Sequence, residues 1–132
     1  MLHLPHPFIV PGGRFREMYY WDTYWVLRGL LRCGMHATAR GILSNFAHLI
    51  GAHGMVPNGN RTYYLGRSQP PLLAQMVRDY VDATGDADFV GEILPYLETE
   101  YRYWRDRHAV TVLLGDGQEH IMFRCAINQP HT

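Results

Sequence analysis

The sequence predicts an all-α fold. Four segments carry apolar side chains at three- and four-residue spacing, the repeat of a helix that buries one face. Stop or break signals separate them, at Gly34, Gly51 and Thr84-Gly85. Strands do not alternate with helices, and one pair of short runs near the C-terminus is all that reads as β-structure.

The first helix is expected over residues 17–33. Trp21, Tyr24, Trp25, Leu27, Leu30 and Leu31 form its apolar side, and Gly34 supplies the stop. The second covers residues 36–50, with Ala39, Leu43, Phe46 and Ile50 on the core face and Gly51 at its end. Residues 54–68 follow, dense in Gly, Asn, Pro and Tyr. A loop of this length inside a compact domain is usually functional or mobile. A third helix opens at Pro70-Pro71, where a missing N–H costs nothing. Its buried face is Leu72, Leu73, Met76, Val77 and Tyr80, and it ends before Thr84-Gly85.

Asp86 or Asp88 caps a fourth helix that runs to residue 107. Phe89, Ile93, Leu97, Tyr101 and Trp104 make its buried stripe, and Pro95 marks a kink or break. Residues 110–114 and 120–123 flank Gly115-Asp116-Gly117-Gln118 and read as a short β-hairpin. Four such helices form either a small bundle or part of a larger α/α array.

At 132 residues the chain is one ordinary domain or a piece of a larger one. With 47% hydrophobic and 18% charged residues it has material for a packed core. Twelve basic and twelve acidic side chains cancel without forming a run, so neither nucleic acid nor an anionic membrane is an expected partner. All twelve basic residues are arginine, which excludes Schiff-base and P-loop lysine chemistry. No apolar stretch approaches the roughly 20 residues of a membrane span. Met1-Leu2-His3-Leu4-Pro5 lacks the basic start and apolar run of a signal peptide, and the compartment is left open.

Cys33 and Cys125 are far apart and show no metal spacing, and the eight histidines are scattered. No metal and no cofactor is therefore expected. A Gly-x-Ser-x-Gly elbow is also missing.

Two polar, aromatic-rich segments carry the chemistry. The first is Pro11-Gly12-Gly13-Arg14-Phe15-Arg16-Glu17-Met18-Tyr19-Tyr20-Trp21-Asp22. Arg14 brings a fixed fork of donors, and Trp21 and Asp22 set an aromatic plate beside an acceptor-only carboxylate. Sugars suit that combination, because their C–H faces pack on rings while charged groups hold pairs of hydroxyls. Read as packing alone, Trp21, Tyr24 and Trp25 would be core and Arg14 would pair with Glu17. The density of charged residues among the aromatics argues against that reading. The second segment runs from Val56 through Asn58, Asn60-Arg61-Thr62 and Tyr63 to Arg67-Ser68-Gln69-Pro70-Pro71. Its amides and guanidinium suit neutral hydroxyls. Asn60-Arg61-Thr62 also matches a glycosylation acceptor, a tripeptide that often arises by chance.

With these two segments the chain resembles the trehalase family, the inverting glycoside hydrolases that split α,α-trehalose into two glucoses. Pro-Gly-Gly-Arg-Phe-Arg-Glu through Tyr-Tyr-Trp-Asp at 11–22 is similar to the family's first signature, and residues 57–61 and 67–71 match a second stretch. The similarity runs over about residues 6–124. It implies an (α/α)6 toroid of twelve helices, of which this chain would supply about four, and a small-molecule substrate, trehalose. It also implies that Arg14, Trp21, Asp22, Asn58, Arg67, Ser68 and Gln69 bind the sugar, with Phe15, Tyr19 and Tyr63 lining the same site.

The family's general acid, an Asp, and general base, a Glu, would lie beyond Thr132, as would an Arg-Pro-Glu-Ser sugar-binding segment. Met122-Phe123-Arg124-Cys125 keeps the family's Arg but not the Asn and Tyr beside it. Inversion needs two carboxyl groups on opposite faces of the sugar, roughly 6.5–9.5 Å apart. Glu17 and Asp22 share one short segment and would approach from one side, so Asp22 reads as a hydroxyl acceptor.

Two readings follow. In the preferred one, residues 1–132 are a fragment of a single trehalase-like catalytic domain and inactive alone, because Gln129-Pro130-His131-Thr132 stops where the next binding motif is due. In the other, the chain is a truncated, non-catalytic module that binds trehalose or a partner.

Overall fold

The computed structural model describes residues 1–125. The readings placed on Gln129-Pro130-His131-Thr132 lie outside the described residues. Four helices, α1 (Asp22–Arg32), α2 (His36–His53), α3 (Leu73–Thr84) and α4 (Ala87–Arg107), precede an antiparallel hairpin of β1 (Ala109–Leu113) and β2 (Glu119–Phe123). A 3-10 turn at Thr62–Tyr64 interrupts the long loop between α2 and α3.

The core forms where amphipathic faces meet. α2 packs against α1, α3 and α4, and α3 also touches α1 and α4. Ala39, Ile42, Leu43, Phe46, Leu49 and Ile50 of α2 are buried against Leu27 and Leu30 of α1 and Leu73, Met76, Val77 and Tyr80 of α3. Burial of each large apolar side chain contributes roughly 1.5–3 kcal/mol. The leader is tied to the same helix. Asn45 is fully buried, accepts the His6 N–H at 2.9 Å and donates to the His6 carbonyl at 2.9 Å.

Three helix boundaries differ from the sequence expectation, and those of α1 and α2 have a direct physical reason. α1 starts at Asp22, not at residue 17, because residues 18–20 give their backbone groups to residues 58–60 and cannot also close helical turns. α2 continues through Gly51 to His53. Gly51 admits Tyr96 of α4, whose ring a Cβ would meet at 3.3 Å, while Gly54, at φ 75°, ends the helix by donating to the Ile50 carbonyl. α3 begins at Leu73, two residues beyond Pro70-Pro71.

Asp86 is the cap of α4, its carboxylate accepting the Phe89 N–H at 3.2 Å, and the helix runs through Pro95 without ending. The stripe of α4 differs at one position. Phe89, Ile93 and Trp104 are buried as expected, but Glu100 takes the inner place and Tyr101 is 60% exposed. A 3.6-residue period calls for a three-residue step at this point, and that step falls on the carboxylate. The hairpin pairs Ala109 with Phe123 and Leu113 with Glu119, one residue outside the expected runs, and Gly117 at φ 75° turns it.

Candidate functional site

The two polar segments meet as a short antiparallel pair. Met18 N–H donates to the Asn60 side-chain oxygen at 3.1 Å, Asn60 N–H to the Met18 carbonyl at 3.2 Å, and Tyr20 N–H to the Asn58 carbonyl at 3.2 Å. Tyr19 and Gly59 face each other across the pair. Gly59 fits only because it lacks a side chain, since a Cβ would lie 3.0 Å from the Met18 carbonyl and 3.0 Å from the Tyr64 ring.

Further contacts close the frame. Asn58 N–H donates to the Arg67 carbonyl at 3.0 Å, so the loop returns on itself. Ser68 Oγ donates to the Val56 carbonyl at 2.8 Å, and Gln69 Oε1 accepts the Trp21 N–H at 2.9 Å. Buried Glu17 pairs with Arg61, not with Arg14.

The structure therefore brings Trp21, Asp22, Asn58, Arg67, Ser68 and Gln69 onto one frame. Trp21 is 41% exposed and Trp25 54%, so these rings are not core; they meet edge to face at 5.4 Å. Asp22 opens α1 half-buried, where its charge also suits the positive end of the helix dipole. Arg14 sits in a separate tight turn in which Phe15 N–H donates to the Gly12 carbonyl, with Gly12 at φ 116° and Gly13 at φ 58°. An aromatic ladder links that turn to the frame. The Arg14 guanidinium lies 4.9 Å from the Phe15 ring; Phe15 meets Tyr19, Tyr19 meets Tyr64, and Arg67 lies 5.7 Å from the Tyr64 ring. Two exposed cations thus stand at the ends of a three-ring ladder.

Sequence reasoning missed the framing residues. Asn60 and Arg61 read as part of a glycosylation tripeptide but are structural, and Tyr20 read as one aromatic among several. Its hydroxyl donates to Glu100 Oε1 at 2.5 Å and accepts the Leu73 N–H at 3.1 Å. Burial, reinforced by the facing carboxyl, pushes the Tyr20 phenol well above its ordinary value, so it stays a donor. Among the described residues no three His, Cys, Asp or Glu side chains cluster to hold a metal, and no helix is long and apolar enough to cross a membrane.

Comparison with known proteins follows the same lines. The trehalase family model matches residues 1–131. A trehalase of Oryctolagus cuniculus is 48% identical over 94% of this chain and 21% of its own length. A periplasmic trehalase of Xanthomonas campestris is 53% identical over 79% of this chain and 18% of its own. Neutral trehalase of Saccharomyces cerevisiae, an (α/α)6 toroid, superposes with a TM-score of 0.65 at 31% identity, covering 86% of this chain and 22% of that one. The chain spans about a fifth of the length of the curated relatives it matches. Its helices correspond to a part of that toroid, and the frame built by residues 11–22 and 56–71 falls inside the matched region. By family model, by sequence identity and by fold, the chain belongs to the trehalase family.

Proposed function

We propose that residues 1–132 are the front part of a single trehalase catalytic domain, which hydrolyses α,α-trehalose to two glucose molecules with inversion. This part supplies sugar contacts, and the general acid and base come from chain outside it. The observation that carries the reading is the frame: two segments about forty residues apart in sequence are hydrogen-bonded to each other within a trehalase-family fold, and between them they carry an exposed aromatic plate, a carboxylate and guanidinium groups.

On this reading Trp21 stacks against a glucose face, while Asp22 accepts and Arg14 and Arg67 donate hydrogen bonds to ring hydroxyls. Asn58 adds an amide. Ser68 and Gln69 work mainly through the backbone, since the Ser68 hydroxyl is donated to Val56 and the Gln69 oxygen holds Trp21. The sugar is held so that a protonated carboxyl reaches the glycosidic oxygen from one side and a carboxylate activates water from the other. Each such group contributes a factor of about a hundred or more to the rate. No cofactor enters.

A second reading is a non-catalytic module binding trehalose or a partner. It is favoured by the closure of the frame among the described residues, where Leu2, Leu73 and Glu100 complete its hydrogen bonds.

The test is the native polypeptide. An antibody against residues 57–71 would report its mass, and the captured protein would be assayed for glucose release from trehalose. A band several times heavier than 15.3 kDa with trehalose hydrolysis supports the catalytic reading. A band near 15.3 kDa that binds trehalose without hydrolysing it overturns that reading in favour of the second.

A further inference from the structure

Two carboxyl side chains are buried among the described residues, Glu17 and Glu100. Glu17 has the Arg61 cation. Glu100 has the Tyr20 hydroxyl, at 2.5 Å, and stands in an otherwise apolar stripe with Phe89, Ile93 and Trp104. A leucine there would avoid the cost of burying a carboxyl, so packing alone does not account for it.

What the carboxyl holds is a junction. The Tyr20 ring is fully buried against Phe46, at 5.2 Å between centroids. Its hydroxyl lies between Glu100 of α4 and the Leu73 N–H that opens α3, and its own N–H donates to the Asn58 carbonyl. Tyr20 is therefore fixed at both ends, and the next two residues are Trp21 and Asp22.

We infer that Glu100 is a positioning residue for Trp21 and Asp22, acting through the Tyr20 hydroxyl that it shares with the start of α3. The inference rests on reading that face as the trehalose site. Because Tyr20 is held by its hydroxyl and its N–H together, release of the hydroxyl frees the ring to shift and carries the adjoining backbone with it. A misplacement of about 1 Å at a binding group costs up to roughly a hundredfold in rate.

Burial raises the Glu100 carboxyl to about 7, against the opposing effect of the Tyr20 hydrogen bond, so its charge changes near neutrality. Tyr20 is the titratable group set against it. Glu98 of α4 pairs with Arg102 and Arg105 with Asp106 on the exposed side, Glu92 and the cap residue Asp86 pair with Arg40 of α2, and on α3 Asp79 pairs with Arg28 and Asp82 with Arg78.

The experiment compares wild type, Glu100→Leu, Glu100→Gln and Tyr20→Phe by amide exchange, amide chemical shifts and trehalose binding. Glu100→Leu and Tyr20→Phe should speed exchange at the Tyr20, Trp21 and Leu73 amides by about tenfold, leave the α2 core amides protected, and weaken trehalose binding by a similar factor. Glu100→Gln keeps the acceptor and should restore both. Uniform loosening of all amides, or none, overturns the inference, because the role would then be general stability or nothing.

Should Glu100→Leu fail to fold, Glu100→Gln still decides. In wild type the Tyr20 and Trp21 amide shifts should titrate with a midpoint near 7, and in Glu100→Gln they should stay flat. A titration that persists in Glu100→Gln overturns the inference. Wild type that binds no trehalose would remove the functional reading, while the amide shifts would still settle the anchoring role of Glu100.

Discussion

Gln69 holds the backbone of Trp21: its side-chain oxygen accepts the Trp21 N–H at 2.9 Å, across 48 residues of sequence. The bond crosses from the end of the long loop to the residue before α1. It therefore sets the height of the indole against the loop. Gln69→Leu should leave that N–H without its partner, at a cost of about 1 kcal/mol in stability. Trehalose affinity should fall while the far-UV spectrum stays unchanged, which titration calorimetry and circular dichroism would check.

Arg14 lies in its own turn, is exposed, and meets the ladder only at the outer ring of Phe15. Arg14→Ala should thus spare stability and remove a charged contact to the sugar, worth about 1.5–3 kcal/mol of binding. Wild-type affinity for trehalose in that variant would remove Arg14 from the site.

Asn60 is 1% exposed, and its side-chain oxygen accepts the Met18 N–H. The tripeptide Asn60-Arg61-Thr62 should therefore stay unmodified in the folded protein, even in a host that glycosylates. Mass spectrometry of secreted material, with and without a glycosidase, tests this. Asn60→Ala should lower the unfolding free energy by about 1–3 kcal/mol, the cost of a buried donor left unpaired.

Stability should depend on pH through Glu100. Its carboxyl rises from an ordinary 4.5 to about 7 on folding. Between those values the folded protein keeps a proton that the unfolded chain releases. The contribution is whole below 4.5 and is lost as pH rises through 7, a change on the order of 3 kcal/mol. Urea midpoints should fall between about pH 5 and 8 in wild type by more than in Glu100→Gln. Equal falls in the two proteins would show that the carboxyl does not titrate in this range.

Two glycines should behave oppositely. At Gly59 a Cβ meets backbone and ring at 3.0 Å, so Gly59→Ala should destabilise by about 1–3 kcal/mol. Gly91, exposed inside α4 with nothing within 4 Å of a Cβ, should gain up to about 1 kcal/mol as Ala. Thermal melts of the two variants would show the opposite signs.

The helical periods were legible because each is local. Leu73, Met76, Val77 and Tyr80 lie on one face of α3 as their spacing requires, and Asp86 caps α4. The pairing of Met18 with Asn60 was not legible, since it joins residues 42 apart and leaves no period in either segment. Glu100 hid for a related reason. A carboxylate in a stripe reads as surface until its partner is known, and the partner lies 80 residues away. Gly51 misled because a glycine serves equally to end a helix or to admit a neighbour, and only the position of Tyr96 distinguishes the two. The proposed sugar contacts were visible as chemistry, in Arg14, Trp21, Asp22 and Arg67. The bonds of Ser68 to Val56 and of Gln69 to Trp21 were not, because each reaches a partner well outside its own tripeptide.

The edge-to-face contact of Trp21 and Trp25 also has an optical meaning. Their indoles lie 5.4 Å apart at 85° and face solvent, whereas Trp104 is 4% exposed. Emission from the exposed pair falls at the red edge of the fluorescence band, and emission from Trp104 at the blue edge. A soluble quencher such as iodide silences the first and spares the second. The protein thus carries two colours of intrinsic reporter, one in the exposed pair and one buried against His108, so the surface of α1 and the interior can be followed separately in one cuvette without a label.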